Sequence, residues 1–68
     1  MATALKVRRA IENAGWELVR TRGSHRIYRM GSATVPFAYH DGADLGGPAI
    51  AIVAKEFGMT LSELRRLL

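Results

Sequence analysis

Two Gly-Ser pairs, Gly23-Ser24 and Gly31-Ser32, separate three short runs in which polar and apolar residues alternate, and this spacing constrains the fold more than any other feature of the chain. Turns as short as Arg22-Gly23-Ser24 and Gly31-Ser32 join antiparallel neighbours, because a parallel crossover needs about a dozen residues or more. The runs Trp16 to Thr21, His25 to Met30 and Ala33 to Phe37 therefore read as a three-stranded antiparallel meander, with Pro36 suited to an edge position or a strand end. Strict alternation sets Trp16 and Leu18 on one face of the first run and Glu17 and Val19 on the other. In the second run Tyr28 falls on the opposite face from Ile27, where it would be exposed to pack on a partner or stack on a base.

Helical spacing flanks the meander. Val7, Ala10, Ile11 and Ala14 recur at i, i+3, i+4 and i+7, which predicts a helix from Thr3 to Ala14 with Thr3 as its cap and Gly15 at its end. After a Gly- and Asp-containing loop from Ala38 to Gly47, Pro48 opens a second helix that carries Ile50, Val53, Ala54 and Phe57 inward and stops at Gly58. Thr60 to Glu63 has the form of a capping box, opening a short last helix with Leu61, Leu64 and Leu68 inward. With 68 residues there is material for one domain, residues 1–68. Both long helices must cover one sheet face and leave the other bare, an α+β two-layer sandwich.

The chain has no cysteine, which excludes a disulfide framework, a thiolate nucleophile and Cys-ligated zinc. No apolar run approaches the length of a membrane span, and Met1 to Lys6 lacks the apolar stretch of a signal peptide. A cytoplasmic protein with no membrane partner is the expectation.

Charge is unevenly placed. Residues 1–34 carry seven Lys and Arg against two Glu, whereas the second half has a net charge of −1. An arginine-biased half suggests an anionic partner, because guanidinium forks match phosphate bidentately. If successive elements reverse direction, Thr3, Lys6, Arg22, His25, His40 and Gly46-Gly47 meet at one rim, with two helix N-termini favourable to phosphate.

His25, directly after the Gly-Ser turn, is the sharpest candidate for chemistry, with His40 second. A histidine among Arg20, Arg22, Arg26 and Arg29 suits RNA cleavage by internal transesterification: the 2′-hydroxyl loses a proton, the 5′-oxygen gains one, and guanidiniums neutralise the phosphorane. That chemistry calls for neither a metal nor a cofactor. An electrostatic RNA-binding surface, with His25 as one more donor, is the alternative on these residues alone. A third is an interaction domain docking an acidic protein. Ser24 next to His25 is not a triad, and His25, His40, Asp41 and Asp44 match no metal-ligand spacing. Gly46-Gly47 lacks the pattern of a phosphate-binding loop, and Trp16, Phe37 and Phe57 read as core.

The segments Ala14-Gly15-Trp16-Glu17-Leu18-Val19-Arg20, Arg22-Gly23-Ser24-His25-Arg26-Ile27-Tyr28-Arg29 and Thr34-Val35-Pro36 resemble the HicA (YcfA-like) toxin family, a likeness that extends to the Gly58-Met59-Thr60 to Leu64 tail. The resemblance implies a double-stranded-RNA-binding-domain-like fold of order α-β-β-β-α with a short C-terminal helix. It implies a metal-independent messenger-RNA interferase in which His25 is catalytic, and a cognate HicB-like antitoxin that silences it. Arg26 stands where family members often carry a second histidine, and His40 resembles the histidine that often follows the Val-Pro pair. On this reading Lys6, Arg22, Ser24 and Arg26 contact RNA, Gly23 holds the turn, His40 assists, and the antitoxin covers the His25 rim.

Overall fold

The computed structural model describes residues 2–68. Its first helix, α1 (Ala4–Asn13), starts where expected: the Thr3 hydroxyl accepts the Lys6 backbone N–H at 3.3 Å. Ala4, Val7, Ala10 and Ile11 form its buried stripe. At the other end Gly15 N–H donates to Glu12 O and Trp16 N–H to Ile11 O, the paired bonds of a Schellman ending. The chain then turns directly into the sheet.

Strands β2 (Glu17–Arg22), β3 (His25–Met30) and β4 (Ala33–Phe37) lie antiparallel in the order β2-β3-β4. Gly23 and Gly31 both have φ of 59°, with the glycine first in each two-residue connection, as a type II′ hairpin requires. Pro36 sits on β4, an edge strand, opposite Ile27.

Helix α2 (Gly47–Glu56) begins at Gly46 with Pro48 in its first turn and ends with a second Schellman pair, Gly58 N–H to Lys55 O and Met59 N–H to Ala54 O. A capping box at Thr60 and Glu63 opens α3 (Leu61–Leu67), with bonds of 3.1 and 2.8 Å. The helices cover one sheet face, and every residue of β2 is exposed. The core is centred on Val7, Ile11, Tyr28, Phe37, Val53 and Leu64, each under 2% exposed. Trp16 meets Phe57 edge-on, with ring centroids 4.9 Å apart. This is the small α+β architecture that the spacing predicts, consistent with the α-β-β-β-α order.

Four features differ from the sequence reading, the first being Leu68, expected inward on α3 but exposed at the chain's end. The 38–47 stretch contains β5 (Asp44–Leu45), which pairs with β1 (Ala2–Thr3) in a two-residue antiparallel ladder. Two residues are too short to show a period. Tyr28 is not open to solvent but fully buried, while Ile27 takes the outer face. The tyrosine belongs inside because its ring meets Phe57 and its hydroxyl reaches a carboxylate at the core's margin. Finally, β2 carries a bulge: Leu18 opposes Tyr28, yet Arg20 opposes Ile27, leaving Val19 as the extra residue.

Candidate nucleic-acid interface

The bulge decides which side chains surround His25. Uninterrupted alternation from Trp16 and Leu18 would carry Arg20 and Arg22 to the core face with them. The extra residue at Val19 shifts the phase by one, so Arg20 opposes Ile27 and Arg22 opposes His25. Directly opposed residues of an antiparallel pair share a face. His25, Arg22, Arg20, Ile27 and Pro36 therefore occupy the open face of the sheet together, with Arg29, Glu17 and Thr34 one row further along.

His25 is exposed at the start of β3 and makes no side-chain hydrogen bond to the described residues. Arg20 and Arg22 are likewise exposed and form no ion pair among the described residues. Arg29 is held by Glu17 across the strands at 3.0 Å, a pair of exposed groups. The two free guanidiniums and the imidazole thus lie on one surface, with their hydrogen-bonding groups available to a ligand.

Arg26 is not grouped with them. Its strand position turns it to the helix side, where the guanidinium lies 3.3 Å from Asp41 and is only 19% exposed. Asp41 is also gripped by Arg8 through a fork of two 3.2 Å hydrogen bonds, Nε to Oδ1 and Nη2 to Oδ2. Arg8 reaches on to Glu12 at 3.2 Å, and Glu12 accepts the Tyr28 hydroxyl at 2.7 Å. The Arg8 fork holds the Asp41 carboxyl below its ordinary range, and Asp41 in turn raises the Arg8 guanidinium. Burial, then the hydrogen bond to Glu12, pushes the Tyr28 hydroxyl up to about 12. This chain of contacts ties α1, β3 and the loop after β4 into one network.

That loop carries His40. It is exposed, its carbonyl accepts the Ala43 N–H at 2.9 Å, and the next residue, Asp41, is the one bound to Arg26. The covalent neighbours of the two histidines are therefore joined by an ion pair. Further backbone bonds, Leu5 N–H to Asp41 O and Ala4 N–H to Ala43 O, fasten the loop to the start of α1.

The expected rim is not gathered into one hollow. Lys6 lines a hollow of about 350 Å³ with Ala2, Gly47, Ile50, Arg65 and Leu68, which gathers the starts of α1 and α2 and the end of α3 but none of Arg22, Ser24 or His25. Ser24 is half-buried in the hairpin turn beside Gly23. No group of three or more potential metal-ligating side chains converges among the described residues. The Asp41 network escaped sequence reasoning because its partners lie 15 and 33 residues away.

A family model described as "HicA toxin of bacterial toxin-antitoxin" matches residues 5–59. No curated protein matches the chain, and no solved structure does.

Proposed function

The chain belongs to the HicA toxin family, the toxins of bacterial toxin–antitoxin systems, and from that premise we propose that it is an endoribonuclease that cleaves messenger RNA through His25. The observation that carries this reading is the pairing of His25 with Arg22 across a two-residue hairpin, on the open face of the sheet and beside Arg20.

Cleavage by transesterification needs little machinery. The 2′-oxygen attacks the adjacent phosphorus as its proton leaves, the bond from phosphorus to the 5′-oxygen breaks, and that oxygen takes up a proton. Histidine exchanges a proton near neutral pH, and such transfer accelerates a reaction by about 10² to 10⁴. His25 serves at one of the two oxygens. Arg22, opposite it, is suited to the charge that develops on the phosphorane, where a guanidinium fork meets two oxygens at once. His40, held through Asp41 and Arg26, is the candidate for the second oxygen. Gly23 and Ser24 set the turn.

Lys6 and Arg26 enter this reading differently. Lys6 stands at the hollow between the helices, where it can take a more distant phosphate. Arg26 acts chiefly by anchoring the loop through Asp41, since contact with RNA would require that ion pair to open.

A toxin of this kind works against an antitoxin, and a HicB-like protein that presents acidic groups to Arg20, Arg22 and His25 would silence the site by covering it. The test of the enzyme reading is the chemistry of the product ends. Purified protein incubated with a long RNA in EDTA should release fragments ending in 2′,3′-cyclic phosphate and beginning with 5′-hydroxyl. Cleavage only with added divalent metal, leaving 5′-phosphates, would overturn it. RNA binding without cleavage would favour a non-catalytic module of the same fold.

A further inference from the structure

We propose that the open face of the sheet grips an unpaired RNA strand by its backbone alone, with Arg20 as a binding residue next to Arg22, and reads no base by stacking. The inference deepens the ribonuclease reading and rests on it for the position of the scissile bond. Two observations carry it.

The first is the row geometry. Arg22 and Arg20 lie two residues apart on β2 and on the same face, because Arg22 opposes His25 and Arg20 opposes Ile27. Along a strand two residues advance about 6.7 Å, comparable to the separation of neighbouring phosphates in a nucleic-acid strand. One backbone can thus meet a free guanidinium at each row while passing His25. Arg29 extends the row but is already engaged by Glu17.

The second is where the aromatic residues are. Trp16, Tyr28, Phe37 and Phe57 are all in the core, none more than 8% exposed. Tyr39, the remaining one of the chain's five, is half-buried against Phe37 with centroids 5.3 Å apart. Single-strand binders that hold bases use exposed aromatic platforms, and beside His25, whose imidazole the reaction occupies, the open face here offers only Ile27 and Pro36. Grip through arginine and phosphate then ignores base identity. Pairing matters for another reason: in-line attack needs the 2′-oxygen, phosphorus and 5′-oxygen to align, which a stacked A-form helix does not allow. Cuts therefore belong in loops and tails.

The test uses the full chain carrying His25→Ala, so that RNA survives the measurement, and fluorescent 12-mers of uridine, adenosine and cytidine titrated at several salt concentrations. The three should bind within about threefold of one another, since no stacking contact separates them. The open face should contribute about −1.4 to the slope of log K against log salt, two phosphates at roughly 0.7 each. Arg20→Gln and Arg22→Gln should each remove about 0.7 from that slope, and Lys55→Gln nothing. A preference of about tenfold or more for one base, or a slope untouched by Arg20→Gln and Arg22→Gln, overturns the proposal. The ribonuclease reading fails separately, if the His25→Ala protein used here degrades the 12-mers.

Discussion

Replacing Tyr28 by Phe removes one oxygen from the most buried part of the polar network and leaves the ring where it is. The lost contact is the 2.7 Å hydrogen bond from the hydroxyl to Glu12, a charge-assisted bond. Hydrogen bonds to charged groups contribute about 1.5–3 kcal/mol. Here Glu12 keeps Arg8 at 3.2 Å and is exposed enough to be rehydrated, so the cost should be nearer 1 kcal/mol, on the order of the mean for hydrogen bonds in general. In a domain of this size that lowers the melting temperature by about 4–8 °C. The pH dependence is more diagnostic. The folded protein holds the Tyr28 proton up to about 12, against 10.0 ordinarily. Its contribution is complete below pH 10, where both states keep the proton. It is lost between pH 10 and about 12, as the unfolded chain ionises first and the folded one follows. Melting curves of wild type and Tyr28→Phe followed by circular dichroism from pH 7 to 12 should therefore start apart, close above pH 10 and reverse before pH 12, because ionising the buried hydroxyl costs the wild type about 2–3 kcal/mol over that range, more than the hydrogen bond contributes. Equal melting temperatures at pH 7, or a gap that stays constant to pH 12, would refute the reasoning.

Asp41→Asn should weaken the hold on the loop and flatten the acid limb. With the native carboxyl held below 3.8 by Arg8, wild-type stability is present above that pH and falls as the group protonates, a loss the variant lacks in an acid titration. Gly23→Ala and Gly31→Ala should each cost about 1–3 kcal/mol from backbone strain alone, because both sites have φ of 59° and an added methyl meets nothing within 4 Å. Of the two, only Gly23→Ala should slow RNA cleavage, since its turn aligns Arg22 with His25. Thr60→Ala should lose about 1 kcal/mol of stability with the capping box, read by thermal melting, and leave cleavage rates unchanged.

What the sequence made legible was what local rules control. Gly23 and Gly31 fixed two hairpins, Thr3 and Thr60 marked helix starts, and Gly15 and Gly58 marked helix ends, because each acts within about four residues of itself. Arg22, read as part of the turn, is instead the last residue of β2 and opposes His25. Where a longer range took over, the reading stopped. The bulge at Val19 changes the face of everything after it in β2, and no residue type there announces it. Arg20 looked like part of a general cluster and became a neighbour of His25, while Arg26, one residue from His25, turned away to Asp41. Tyr28 was misplaced because its partner Glu12 comes from a helix 16 residues earlier. The hollow at Lys6 reflects the packing of α1, α2 and α3, which periodicity does not specify.

The central claim is that His25 is a chemical group and not one more donor on a basic surface. Single-turnover cleavage of a long RNA by wild type and by His25→Ala, at protein concentrations that saturate binding, separates the two. Because His25 is exposed and makes no hydrogen bond to the described residues, the substitution should leave the melting temperature unchanged. The rate should fall by about 10² or more while RNA is still bound. A His25→Ala protein that cleaves within about tenfold of the wild-type rate would contradict the account.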